Sequence, residues 1–430
     1  MKIVLIAVDT LRADHLGCCG YHRPTSPNLD AVAAEGFLFT HCFAVSNCTH
    51  PGFTALFTGC YPETTGITAH WTLVDLPDAI PMLAEIAKAN GLRTFALDNL
   101  HDRWQERWRL YPWLRRAYDV YEYAQDSNAH ESANCDLVCD LIRRHAADDF
   151  LLFYHPWYPH APYQPPADCQ AFDWDKDDPL ADVIARYDGE IVYTDREIAR
   201  IVEALRAAGI YDETLLIVTS DHGEIMGEDR VVRGHRFNIS HIDLGDECLR
   251  VPLVLRYPDV VPTGRSGALV QQPDLLPTIA ELARWRLPHA VDGASLVLAM
   301  RGNVTCIRDA VHFMENTYQK QRGIRTQTHK LKLNLDPGDS APRRELYDLE
   351  ADPLEQFNIV DVERDLAGEL EARMAAWVRE RLAAAGRTED PLLAQDITSD
   401  ALRKPGRFAH ERSLAHAYIR MEREERASGR

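Results

Sequence analysis

Three short segments carry residue types that can do chemistry together. Asp9 closes the apolar run KIVLIAV, and Asp221-His222 closes the run TLLIVTS. An Asp-His pair after a strand offers a carboxylate oxygen and an imidazole nitrogen to one divalent ion. By itself, S-D-H-G is equally an ordinary strand-ending turn. The third segment is T-H-P-G-F-T-A-L-F-T-G at 49–59, where Pro51 suits the opening of a helix and Gly59 its end. Thr49 then stands at a helix N-terminus, where the dipole and free N–H groups make a hydroxyl easier to ionise. The competing reading of Thr49 alone is an N-cap.

Elements that could position these residues alternate along the chain. KIVLIAVD lacks polar alternation and predicts a strand buried on both faces. Ser26-Pro27, NLDAVAAE and Gly36 predict a capped helix, and FLFTHCFA a second strand. Helix and strand follow in IPMLAEIAKANG and LRTFALDN, then again in CDLVCDLIRRHAADD and FLLFYHPW. A long helix is expected over roughly 182–208, then the strand TLLIVTSD, the segment VPLVLRYP and the helix PDLLPTIAELARW. This pattern predicts an α/β fold with a large, mainly parallel sheet, helices on both faces, and ligands at the carboxyl ends of strands. From about 310 the texture changes to short antiparallel strands (AVHFMEN, RGIRTQTHKLKLNL, ELYDLEAD) and one amphipathic helix. The expected divisions are a catalytic α/β domain at 1–309, an α+β subdomain at 310–386 and a C-terminal arm at 387–430.

Composition narrows the function classes. The chain has 430 residues, and its 47 Lys+Arg against 66 Asp+Glu leave a formal charge of −19. Sequence-independent binding to nucleic acid or anionic lipid relies on Lys and Arg, so neither partner is expected. An anionic small substrate remains open, because a bound metal reverses the local field. No run of about 18 apolar residues is present, so no spanning segment is expected. The opening MKIVLIAVD is too short for a secretory signal, and the ten scattered cysteines read as free thiols of a reducing cytoplasm.

Taken in order, the motifs are strand–Asp9, PTSPNLDAVAAEG, T-x-P-x(6)-T-G, P-H-A-P-Y, S-D-H-G-E, L-R-V-P-L, and ELYDLEADPLEQFN. Together they resemble the sulfatase family of the alkaline phosphatase superfamily over nearly the whole chain. The resemblance implies an alkaline phosphatase-like fold and a metal-dependent ester hydrolase. It also shows departures. The family makes its formylglycine nucleophile from the Cys of C-x-P-S-R, but Pro51 keeps the register that puts Thr49 at that position. Cys48 lacks the Pro and Arg spacing, and Phe53 stands where the Arg belongs. The expected nucleophile is therefore the Thr49 hydroxyl.

Other family positions are carried over singly. The paired Asp-Asp after the first strand is Asp9-Thr10 here, and K-W-H aligns with Asn99-Leu100-His101. The implied substrate contacts are Thr10 and Asn99. His160 matches the His of P-H-x-P-Y, and the cation downstream of D-H-G-E corresponds to His235, with His241 the weaker choice. The implied ion ligands are Asp9, Thr49, Asp221 and His222 around one divalent ion. Mixed carboxylate and imidazole ligands favour Mn²⁺ or Zn²⁺, with Ca²⁺ the alternative.

The expected activity is a cytoplasmic hydrolase of phosphate esters, phosphodiester or phosphonate monoester, through a phospho-threonine at Thr49. His235 or His101 would protonate the leaving alkoxide. The rival readings are a sulfate ester hydrolase working without formylglycine, and an inactive family member that binds anions. Between 101 and 123 lie seven Trp/Tyr and five Arg, either a lid over the substrate or a packing insertion. The last 28 residues carry eight Lys/Arg against four Glu, and read as an arm gripping another subunit or as a solvated tail.

Overall fold

The first strand sets the architecture. In the computed structural model β1 (Lys2–Val8) is buried along its whole length, with alternate residues feeding two different cores. Ile3, Leu5 and Ala7 join one apolar cluster, while Val4, Ile6 and Val8 join the other, on the opposite face of the sheet. Helices cover both faces, which is why the strand sequence shows no polar alternation. The structure describes residues 1–70, 74–98, 112–123, 133–170, 172–227, 243–336 and 342–397.

The other strands of this sheet are β2 (Phe37–Phe43), β3 (Arg93–Asp98), β4 (Val120–Tyr123), β5 (Phe150–His155), β6 (Thr214–Ser220), β7 (Arg250–Arg256), β8 (Gly264–Ser266) and β9 (Val270–Gln271). Their spatial order is β4-β3-β5-β1-β6-β7-β2-β8, with β9 also paired to β2. From β4 to β6 every pairing is parallel, so the carboxyl ends of β3, β5, β1 and β6 lie side by side. The segment VPLVLRYP forms β7, which runs antiparallel to both β6 and β2. The sheet is mainly parallel, as expected, with this one reversed strand inside it.

The longer helices of this part are α1 (Pro27–Glu35), α2 (Thr49–Thr58), α3 (Leu83–Ala89), α4 (Ala133–Arg144), α5 (Pro179–Ala207) and α6 (Leu275–Ala283). α1 begins with Pro27 at its first turn and stops at Gly36. α2 ends where Gly59 takes a left-handed conformation with φ of 69°. A second sheet holds β10 (Val311–Glu315), β11 (Gln321–Arg325), β12 (His329–Asn334) and β13 (Arg344–Asp348), all antiparallel. RGIRTQTHKLKLNL is thus two strands, turned at Thr326–Thr328, instead of one. Ile324, Leu331 and Leu346 of this sheet pack on Ala367, Leu370 and Met374 of α7 (Arg364–Ala384). Among the described residues no helix is long and apolar enough to cross a membrane. Residues 101–111 of the aromatic and Arg segment, and residues 398–430 of the C-terminal arm, lie outside the described residues.

Candidate active site

The site forms where β1 and β6 end. β1 and β6 pair in register up to Val8–Ser220, so the next residues, Asp9 and Asp221, emerge abreast. Both are fully buried. Ligand atoms of Asp9, Asp221 and His222 lie within 4.8 Å of one another. Asp221 Oδ1 is committed to the backbone, accepting from the N–H of His222 at 2.8 Å and of Thr10 at 3.2 Å. Asp221 Oδ2 and Asp9 Oδ1 are buried and accept no hydrogen bond. Unpartnered buried carboxylate oxygens facing an imidazole are what a divalent cation requires. The residues present fit such an ion.

His222 is oriented for this task. Its Nδ1 lies 2.8 Å from the Gly223 carbonyl, which can only accept, so Nδ1 carries the proton and Nε2 presents a lone pair. Ser220 Oγ donates to the His222 carbonyl at 2.6 Å and accepts from Leu11 N–H at 3.0 Å, tying the two strand ends together. Gln272 Nε2 donates to the Asp221 carbonyl at 2.6 Å, while its Oε1 accepts from Val45 N–H just before α2.

α2 completes the cluster from the side. Its first turn lies so close to β6 that a Cβ on Gly52 would come within 2.7 Å of the Asp221 carbonyl oxygen. Only glycine permits this approach. Cys48 is the N-cap residue and Thr49 the first helical one, and no side chain caps the helix. The Thr49 hydroxyl instead lies 3.2 Å from His222 Nε2. The capping reading of Thr49 is therefore replaced by one in which its hydroxyl faces the Asp9, Asp221 and His222 cluster. Cys48 points elsewhere, with Sγ 3.2 Å from Thr317 Oγ1 and 3.7 Å from Glu315 Oε2 beside β10. Burial and the Glu315 carboxylate push its thiol well above the ordinary range.

Thr10 has φ of 53°, an unfavourable left-handed conformation for a β-branched residue. It is held there by its N–H bond to Asp221 and by the Tyr187 hydroxyl, which donates to its carbonyl at 2.7 Å. Its own hydroxyl is buried beside Asp9 without a hydrogen-bond partner. His160 lies in the turn after β5, its ring 4.1 Å from that of Trp157. Asn99, His101 and His235 lie outside the described residues.

The sequence reading missed His155, the last residue of β5. Its Nε2 makes an ion-pair contact of 3.3 Å with Asp9 Oδ2, and its Nδ1 lies 2.8 Å from Asp98 Oδ1 at the end of β3. The signal was available in a histidine closing the apolar run FLLFYH, but only the strand order shows that its neighbour is Asp9. Burial works against the charged form of His155, yet the two carboxylates outweigh it and raise its pKa to about 10. Burial would likewise raise Asp9, but His155, and after it His160, hold it well below the usual carboxylate range. Asp221 is pushed the other way, by burial and by the Asp9 charge. A cation between Asp9 and Asp221 would relieve that repulsion.

Comparison with known proteins identifies the family. The sulfatase family model matches residues 2–284, well over half of the chain. The chain belongs to the sulfatase family. A second model, the C-terminal part of N-sulphoglucosamine sulphohydrolase, matches residues 242–380. This sulfatase-family chain is 25% identical to an ulvan-active sulfatase of Formosa agariphila, covering 83% of this chain and 75% of that one. It is 26% identical to human arylsulfatase A, covering 84% and 83% respectively. In fold it is similar to the phosphonate monoester hydrolase of Agrobacterium radiobacter, with a TM-score of 0.71 at 19% identity over 89% of this chain and 96% of that one. The alkaline phosphatase-like architecture expected from the motifs is the one observed, and the chain is a hydrolase of ester bonds.

Proposed function

We propose that this sulfatase-family chain hydrolyses phosphate esters carrying one negative charge, phosphodiesters or phosphonate monoesters, with Thr49 as nucleophile. The observation that carries the reading is the uncapped Thr49 hydroxyl, 3.2 Å from His222 Nε2 at the N-terminus of α2. Asp9, Asp221 and His222, with the Thr49 oxygen, would hold one divalent ion, Mn²⁺ or Zn²⁺ by the mixed donor set. Such an ion supplies Lewis acidity, lowering the hydroxyl pKa and neutralising charge on the substrate oxygens.

The chain's own residues supply the rest. Thr49 Oγ1 gives its proton to solvent and attacks phosphorus in line as the ester oxygen departs on the opposite side. The first turn of α2 presents its dipole to the charge that develops there. His160 and the Thr10 hydroxyl contact the non-bridging oxygens. His235 or His101 protonates the leaving alkoxide, with Asn99 beside the substrate. Water then attacks phosphorus of phospho-Thr49, breaking the P–Oγ bond and regenerating the hydroxyl.

Charge supports the substrate class. Position 53, an Arg in the family motif, is a buried Phe whose ring packs 5.6 Å from Phe57 and 5.5 Å from Phe153. The buried His155 cation does not replace it, being taken up between Asp9 and Asp98. Each missing cation weakens the hold on a dianion more than on a monoanion, since Coulomb energy scales with the charge product. Sulfate esters are also monoanions, and the nucleophile decides against them. A formylglycine hydrate sheds sulfate by collapsing to the aldehyde, whereas a sulfated threonine has no such exit.

A p-nitrophenyl ester panel with each metal tests this. The expected kcat/KM order is phosphodiester or phosphonate monoester, then phosphate monoester, then sulfate. The second reading, a sulfatase working without formylglycine, has the family match in its favour. Sulfate ester in first place would establish it and overturn the first.

A further inference from the structure

The carboxyl ends of three adjacent strands, β3, β5 and β1, carry a continuous polar row that the Tyr121 side chain of β4 extends. Tyr121 on β4 donates its hydroxyl to Asp98 Oδ2. Asp98 ends β3, and the parallel register sets it directly against His155 at the end of β5. Asp98 Oδ1 takes His155 Nδ1 at 2.8 Å, and His155 Nε2 reaches Asp9 Oδ2 beyond β1 at 3.3 Å. The Asp9 N–H also donates to the Pro156 carbonyl at 3.1 Å, fixing the two backbones against each other.

Packing alone does not call for this row. The His155 ring is wholly buried, edge-on to Phe53 at 4.7 Å and stacked on Phe153 at 6.2 Å, surroundings that suit an apolar side chain. Burying a histidine between two carboxylates is costly, and well-packed apolar residues often do as well or better for stability. What the row does accomplish is geometric. It fixes one oxygen of Asp9 and leaves Oδ1 for the cluster with Asp221 and His222.

We propose that His155, held by Asp98 and backed by Tyr121, is the positioning residue that aims the Asp9 carboxylate at the ion. The inference rests on the ion site of the proposed function. Partners that fix the orientation of a ligand typically contribute 10- to 100-fold in metal affinity.

Calorimetric titration of the full chain with Mn²⁺ alone tests it, alongside the thermal midpoint of the metal-free protein. His155→Gln and Asp98→Asn should each raise the Mn²⁺ Kd by about 10-fold or more. Tyr121→Phe, at the far end, removes one hydroxyl, keeps the fold and should raise Kd a few-fold. Folded His155→Gln and Asp98→Asn proteins with Kd within twofold of wild type would overturn the proposal, even if their thermal midpoints fall, because a merely structural role moves only the midpoint. Should those two variants not fold, an unchanged Kd in Tyr121→Phe overturns it. A wild-type protein that binds no Mn²⁺, Zn²⁺ or Ca²⁺ would instead remove the ion reading itself, and the positioning role with it.

Discussion

Two buried charged clusters in this molecule obey opposite rules. In the second sheet, Lys330 and Lys332 are fully buried on β12. Lys330 Nζ lies 2.9 Å from Asp246 and 2.7 Å from Glu355, and Lys332 Nζ lies 3.1 Å from both Asp243 and Glu345. Every carboxylate there has a cation at hydrogen-bond distance. At the ends of β1 and β6, two carboxylates face each other; His155 contacts Asp9 Oδ2 at 3.3 Å, but Asp9 Oδ1 and Asp221 Oδ2 accept no hydrogen bond. The first cluster is closed, supplying a cation to every carboxylate, and ties the second sheet to the segment that precedes β7. The second is open, and an open anionic cluster is a place for a ligand.

The strongest test of that contrast is Thr49→Ala. Loss of the covalent step should lower turnover by several orders of magnitude, with fold and most metal binding intact. Near-wild-type turnover of the metal-loaded variant would return Thr49 to an ordinary helix residue. Asp221→Asn and His222→Ala should next lose bound metal and activity together, because each removes one of few ligands. Both proteins should remain folded, as should the wild type after chelation. Unfolding at ambient temperature on chelation would make the open cluster structural too, and erase the distinction.

The closed cluster should answer in stability. Lys332→Met leaves Asp243 and Glu345 buried without their cation, which typically costs 3–5 kcal/mol. Urea unfolding that differs by less than about 0.5 kcal/mol from wild type would show that this ion pairing is dispensable. An intermediate case makes the comparison finer. Arg322 is gripped by both oxygens of Asp390, at 2.7 and 2.9 Å, which leaves the buried Glu63 only a 3.6 Å share of it. Burial then pushes the Glu63 carboxyl up from 4.5 to about 7. A raised folded-state pKa gives stability that is fully present below about 4.5 and is lost as pH rises through about 7. Glu63→Gln should therefore flatten the unfolding free energy over that window, and an unchanged slope would place the titration elsewhere. This is the smallest effect of the four.

Much of the catalytic frame was legible from residue order. Apolar runs closing on Asp9 and on Asp221-His222, and a Pro51-to-Gly59 helix opening at Thr49, fix local structure through burial, proline geometry and the left-handed glycine at the helix end. Those forces act over a few residues, so sequence alone determines them. It also determined the departures at Thr49, Thr10 and Phe53, which are simply residue identities. Which strands are neighbours was not legible, because register is set by long-range pairing. Only the order β3-β5-β1 turns a histidine ending FLLFYH into a contact of Asp9. Only the approach of α2 to β6 decides that Thr49 faces His222 while Cys48 turns to Thr317. Lysine and glutamate types likewise suggest solvent at 330, 332 and 355, yet tertiary packing buries them. A side chain's partner depends on what the rest of the chain brings to it, and that is decided in three dimensions.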